Sequence, residues 1–217
     1  MSKIILAEQS SAPATPAAGK VAVYVDNTAT PLLKMVDDAG AVSTLLSSTR
    51  LSYNRSVASQ GAGFATDTYL TGSNITFPAN PTVGTIYHLV FDVSKTAAST
   101  ATPIITLRTG TNATTADTAR CTFTFTAQTA AVDVGTIEVW ALFRTVGSGT
   151  SAVLQGRAQI NHNLSVTGLV NLVNPTLQVT SAGFDSTSGN TIIGVSVNGG
   201  TSAAWTVQLV QADLTTI

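Results

Sequence analysis

Apolar residues recur at every second position through most of this chain. In TIYHLVFDV, Tyr87, Leu89, Phe91 and Val93 share one side while His88 points the other way. That is the period of an extended strand with one face covered. RCTFTFTA alternates most cleanly, with Cys121, Phe123 and Phe125 opposite Thr122, Thr124 and Thr126. PIITLRT puts Ile105 and Leu107 together. TIEVWALFRTV places Ile137, Val139, Ala141 and Phe143 on one face, and Trp140 and Leu142 on an opposite, partly covered face. SAVLQGRAQINHNL directs Leu154, Ala158, Ile160 and Leu164 inward, and Gln155, Arg157 and Gln159 outward. DTYLTGSNITF, TLQVTS, TIIGVSVNG and AAWTVQLVQAD complete the series, the last with Trp205, Val207 and Leu209 in line. Turn residues such as Asn198-Gly199-Gly200 separate these runs, and no amphipathic helix interrupts them. The pattern predicts an all-β, antiparallel two-sheet sandwich over residues 67–217. A jelly roll is the leading topology and an immunoglobulin-like sandwich the runner-up.

Ahead of residue 67 the pattern changes twice. Residues 1–19 read as an extended arm: the apolar tip Ile4-Ile5-Leu6, then a Ser/Ala/Thr tract with Pro13 and Pro16. Such a tract cannot bury enough apolar area to offset its ordering entropy, so it is mobile or held by a partner. Residues 20–46 read as a small β-meander. Val21, Val23 and Val25 alternate with Ala22, Tyr24 and Asp26, turns follow at Asn27–Pro31 and Asp37–Gly40, and short strands lie between and after them. A meander this small is marginal alone and needs a larger surface or further copies of itself. Residues 47–66 show no clear period and read as a connector.

Composition alters the picture of the surface. Charged residues make up only 10% of the chain, against about 25% in an ordinary soluble domain. Thr supplies the missing polarity, at 36 of 217 residues, and its β-branched side chain suits a half-exposed pleated surface. The net charge of −1 argues against broad attraction to nucleic acid or to anionic lipid. No run approaches the ~18 apolar residues of a membrane span. The run Ile4–Ala7 is too short for a signal-peptide core, which points to synthesis in the cytoplasm.

Candidate chemistry is sparse. Cys121 is the one cysteine, so no intrachain disulfide or thiolate cluster can form. Its alternation with two phenylalanines marks it as a small buried hydrophobe. His88 reads as a surface or interface imidazole and His162 as a hydrogen-bonded residue at the sandwich rim. No spacing suggests zinc or calcium, no Gly-x-Ser-x-Gly elbow or phosphate loop occurs, and no cofactor is expected. Asp92 and Glu138 would serve a glycosidase only if they faced each other. Trp140 and Trp205 could stack on a sugar, or could anchor a core or interface. Arg108, Arg120, Arg144 and Arg157 lack the aromatic series of a nucleic-acid groove.

The leader resembles one found on structural proteins of tailed bacteriophages. The resemblance rests on Pro13, Thr15, Pro16, Ala17, Gly19, Lys20, Val21, Tyr24 and Asp26, then Asp37, Asp38, Gly40, Val42 and Leu45. It covers about a fifth of the chain. In such proteins the leader precedes a head-fibre, decoration or tail-fibre module, and the resemblance implies a virion component. The expectation is a capsid decoration (cement) protein on the capsid surface, without enzymatic activity. It would bind the major capsid protein through Ile4, Ile5, Leu6, Pro13, Pro16, Val21, Val23 and Tyr24. The two apolar faces of TIEVWALFRTV imply a homo-oligomer, with a trimer favoured. The alternative is a fibre knob that recognises a host glycan. Neither reading involves nucleic acid or a membrane.

Overall fold

The computed structural model describes residues 8–26, 32–44, 49–61, 64–78, 81–200 and 204–216. Regular structure among them is entirely strand. The chain divides between Thr49 and Arg50 into two compact units.

The first unit carries a four-stranded sheet in the order β1 (Glu8–Gln9), β2 (Ala22–Asp26), β3 (Leu32–Val36), β4 (Val42–Thr44). β2, β3 and β4 run antiparallel, with Tyr24 opposite Lys34 and Lys34 opposite Thr44. β1 joins β2 in parallel, Glu8 opposite Val25 and Gln9 opposite Asp26. The expected arm over residues 1–19 thus includes a strand. Backbone pairing alone creates it, and such pairing leaves no apolar period to read.

The second unit holds two sheets. Its strands are β5 (Thr49–Ser56), β6 (Thr68–Tyr69), β7 (Ile75–Thr76), β8 (Ile86–Lys95), β9 (Ile104–Gly110), β10 (Thr118–Thr124), β11 (Asp133–Thr145), β12 (Val153–His162), β13 (Thr176–Thr180), β14 (Ile192–Asn198) and β15 (Trp205–Thr216). One sheet has the order β13-β12-β11-β8-β15-β5, the other β10-β9-β14-β6, with β7 also on β14. The pairs nest. β5 lies on β15, β6 and β7 on β14, β8 on β11, and β9 on its hairpin partner β10. First pairs with last and second with second-last, down to the central hairpin. This is a long ribbon rolled into two sheets, the jelly roll. β12 and β13 widen the first sheet beyond β11. The immunoglobulin-like order is thereby set aside.

Between the sheets the expected rows meet. Tyr87, Leu89 and Phe91 of β8, Ile137, Val139, Ala141 and Phe143 of β11, and Leu154, Ala158 and Ile160 of β12 are wholly buried. They pack in one core with Ile105 and Leu107 of β9, Cys121 and Phe123 of β10, and Ile193, Val195 and Val197 of β14. Burying each larger side chain contributes roughly 1.5–3 kcal/mol.

Three expectations need revision. Residues 47–66, expected as a connector, supply β5 and the buried Phe64. β5 is unreadable by period because its half-buried positions are Ser52, Asn54 and Ser56, while Tyr53 and Arg55 are exposed. Leu209 does not line up with Trp205 and Val207. A β-bulge between Val207 and Leu209 shifts the register on β8, so Val210, Ala212 and Leu214 take the inward positions. Leu164 lies beyond the end of β12 and is half-buried.

Two glycines are dictated by space. Gly72 separates β6 from β7 with φ +89, and a Cβ there would lie 2.6 Å from the Ser56 amide nitrogen. Gly156, in the middle of β12, faces β10. A Cβ there would lie 2.9 Å from both Cys121 Sγ and Phe123 Cζ. Gly156→Val should therefore lower the unfolding free energy by about 1–3 kcal/mol through overpacking. Urea denaturation checks this, and wild-type stability would contradict so close an approach of β12 to β10.

Candidate docking surface

The two halves of the leader motif meet in space. Asp37 closes its own turn, its Oδ1 accepting from the amides of Ala39 (3.0 Å) and Ala41 (2.8 Å). The neighbouring Asp38 reaches the arm, where its Oδ2 accepts the Gly19 amide at 2.6 Å. Gly19 and Gly40 adopt φ values of +74 and +84, a region open to glycine at little cost. A Cβ on Gly40 would lie 3.2 Å from Thr15 Oγ1. The arm around Thr15–Gly19 is thus clasped to the Asp37–Gly40 turn. Residues of the motif that read as an extended arm and a separate turn form one contact, which turn chemistry alone could not signal.

This clasped sheet has two unlike faces. On one, Tyr24 and Val36 are buried and Lys34 pairs with Asp26. That pairing raises the Lys34 ammonium above its ordinary pKa, the Asp26 bond being the main cause. On the other face, the register sets Val23 beside Met35 and Val25 beside Leu33. Val21 and Val23 are 58% and 40% exposed, and Val25, Leu33 and Met35 are half-buried. The result is an apolar strip open to a partner. β4 ends the sheet among the described residues, with Val42, Ser43 and Thr44 all exposed.

Of the residues expected to dock, Val21 and Val23 lie on this strip. Pro13 and Pro16 are half-buried in the arm. Tyr24 is 3% exposed, so its ring is unavailable to a partner, because its strand parity is opposite to that of Val21 and Val23. Ile4, Ile5 and Leu6 lie outside the described residues, as does Leu45 of the motif.

The other candidates fall on the jelly roll. Trp205 is wholly buried and its Nε1 donates to Gln128 Oε1 at 2.7 Å. Gln128 in turn donates to the carbonyls of Gly199 and Ala101, a strut that no local pattern announces. Trp140 lies on the outer face of the first sheet between its neighbours. His88 of β8 stacks on it with centroids 4.9 Å apart, and the Arg157 guanidinium of β12 lies 4.7 Å from its ring centroid. Glu138 lies 3.9 Å from His88 Nε2. Asp92 instead accepts from Thr136 Oγ1 at 2.8 Å and lines a shallow cleft of about 290 Å³ with Ser94, Thr136, Asn163 and Gln208. Glu138 does not line that cleft. His162 bonds at the rim, as its position in the sequence implied, to Asp133 (2.7 Å) and to the Leu172 carbonyl (3.0 Å). No three His, Cys, Asp or Glu side chains gather into a metal site among the described residues.

No family model matches the sequence, and no curated protein matches it. The chain is similar to one in "Structure of infectious bursal disease virus Gx strain" at 15% identity and a TM-score of 0.17. The match covers 81% of this chain and 44% of that one. At that TM-score the likeness carries no argument.

Cys121 gives a direct check on the candidate chemistry. Burial pushes its thiol up to about 11, opposed by a backbone hydrogen bond with Gly156. Only the thiolate reacts readily, so the folded protein should resist a thiol reagent at mildly alkaline pH and the urea-unfolded chain should label fully. Stoichiometric labelling of the folded protein would contradict the buried placement.

Proposed function

We propose that this chain is a capsid decoration protein of a virus, of the kind that the leader resemblance points to in tailed bacteriophages. The clasped meander docks on the assembled shell of major capsid protein and the jelly roll projects outward. The observation that carries this reading is the open apolar strip of Val21 and Val23, backed by Val25, Leu33 and Met35. Apolar side chains left in water on a small sheet call for a covering surface. A partner strand can also add at the exposed β4 edge. Stabilisation works by mass action: a protein that binds only the assembled shell favours that shell as its free concentration rises above the dissociation constant. The role is architectural, and no catalysis or cofactor is part of it. The oligomer in this reading is a trimer, associating through the outer face of the first sheet, where Trp140 is half-buried and Leu142 is 37% exposed.

A glycan-binding knob would need a sugar platform other than Trp205, which is buried, or Trp140, whose ring is flanked on both sides. Copy number per particle separates the two readings, hundreds for decoration and a handful for a fibre.

Deleting residues 1–19 should abolish binding to purified shells while leaving the cooperative unfolding of the jelly roll intact. Val23→Asp in the full chain should weaken binding at least tenfold while changing stability by no more than about 0.5 kcal/mol, the usual range for an exposed position. Retained binding by both variants would overturn the docking assignment. Light scattering should give a trimer at micromolar concentration, and a clean monomer would remove the oligomer from the proposal.

A further inference from the structure

Residues 163–175 join β12 to β13 and include no charged residue. They present Val166, Leu172 and Val173 to solvent. One buried pair fastens this loop at two points. Asp133, the first residue of β11, accepts the Val134 amide through Oδ1 at 2.9 Å and the Leu169 amide through Oδ2 at 3.0 Å. The same Oδ2 lies 2.7 Å from Nδ1 of His162, the last residue of β12. The other ring nitrogen, Nε2, lies 3.0 Å from the carbonyl oxygen of Leu172. Both side chains of the pair are 0% exposed.

The ring therefore faces an acceptor at each nitrogen. A carbonyl oxygen has no proton to give, and a carboxylate that accepts two backbone amides is in its acceptor form. A neutral imidazole donates from one nitrogen only. If Nδ1 donates to Asp133, an unprotonated Nε2 is left with its lone pair against the Leu172 oxygen, in a place closed to water. Only the imidazolium satisfies both partners. We propose that His162 is held as the imidazolium and latches this loop, so that loss of its second proton releases Leu172 and loosens residues 171–173 while both sheets and the buried Val170 stay in place.

Two charged groups lie at this corner. The Asp133 carboxylate of β11 lies 2.7 Å from Nδ1. Lys95, at the end of β8, interacts with that carboxylate. Its ammonium is buried and donates to the carbonyls of Thr96 (2.7 Å), Thr129 (2.7 Å) and Ala131 (3.1 Å). Burial lowers the Lys95 pKa, and the Asp133 charge offsets part of that. The loop adds no charge. Other fastenings that do not involve the ring are Gly168 amide to Thr129 Oγ1 (2.6 Å), Thr129 amide to the Gly168 carbonyl (3.0 Å) and His162 amide to Asn174 Oδ1 (3.3 Å). Release is thus confined to the Leu172 side. The latch holds while the ring carries both protons and opens when one is lost.

The test uses the full chain with nitrogen-labelled histidine. Ring-nitrogen chemical shifts are followed against pH, alongside the rate of proteolytic cutting within residues 171–173. That rate is normalised to cutting of a free peptide of residues 163–175. Both His162 nitrogens should carry protons while the loop is protected. Loss of one should coincide with a rise of about tenfold or more in normalised cutting, the scale of a lost hydrogen bond from a charged donor. Amide exchange in β8 and β11 should stay unchanged. His162→Gln should be cut fast at every pH, without a step. A ring with a single proton while the loop is protected, or proton loss with no change in cutting, would overturn the latch. If the variant fails to fold, the wild-type titration decides alone.

Discussion

The jelly roll is organised around β8. It is paired along nearly its whole length with β11 on one side and β15 on the other. Its inward residues, Tyr87, Leu89, Phe91 and Val93, form a buried row of the core. A slip of one position would turn that row to solvent and bring His88 and Asp92 inward. The register of the first sheet follows from this penalty. So does the bulge in β15, which lets one strand present Trp205 and Val207 early and Val210, Ala212 and Leu214 later to the same core. The Tyr87 hydroxyl, buried with that row, donates to the Ser73 carbonyl at 2.5 Å. Desolvation raises its pKa well above the ordinary tyrosine value, so it remains a donor there.

The first unit follows a different logic. Among its described residues the buried apolar side chains are Tyr24 and Val36, and polar contacts join them: a clasp of Asp38 on Gly19 and an ion pair of Lys34 with Asp26. Such contacts shape a surface more than they stabilise a fold. What they shape is a sheet with an open apolar strip and a short exposed edge. The docking proposal rests on this division of labour: one unit stable through burial, the other arranged for contact.

The sequence disclosed whatever depended on apolar alternation. Cys121 and Phe123, the β8 row and the β11 row could be assigned inward because each sits on a strand with one covered face, and Phe125, just past the end of β10, is buried with them. It concealed whatever depended on backbone pairing or on a distant partner. β5 joins the sandwich through Ser and Asn positions, and β1 through two residues beside Val25 and Asp26. The bulge in β15 reverses parity without a glycine or proline to mark it. In the candidate site, Val21 and Val23 were legible as apolar residues near a motif. Tyr24, expected to dock beside them, lies on the covered face because its strand parity is opposite to theirs. The Asp133–His162 pair lies 29 residues apart in sequence, and only the folded sheet brings it together.

The most direct test of the central claim is a cryo-electron microscopy reconstruction of shells carrying the full chain. The account predicts density for residues 8–44 against the major capsid protein, with Val21 and Val23 covered and the jelly roll outermost. A reconstruction in which the jelly roll sits on the shell and the Val21–Val23 strip faces solvent would contradict it.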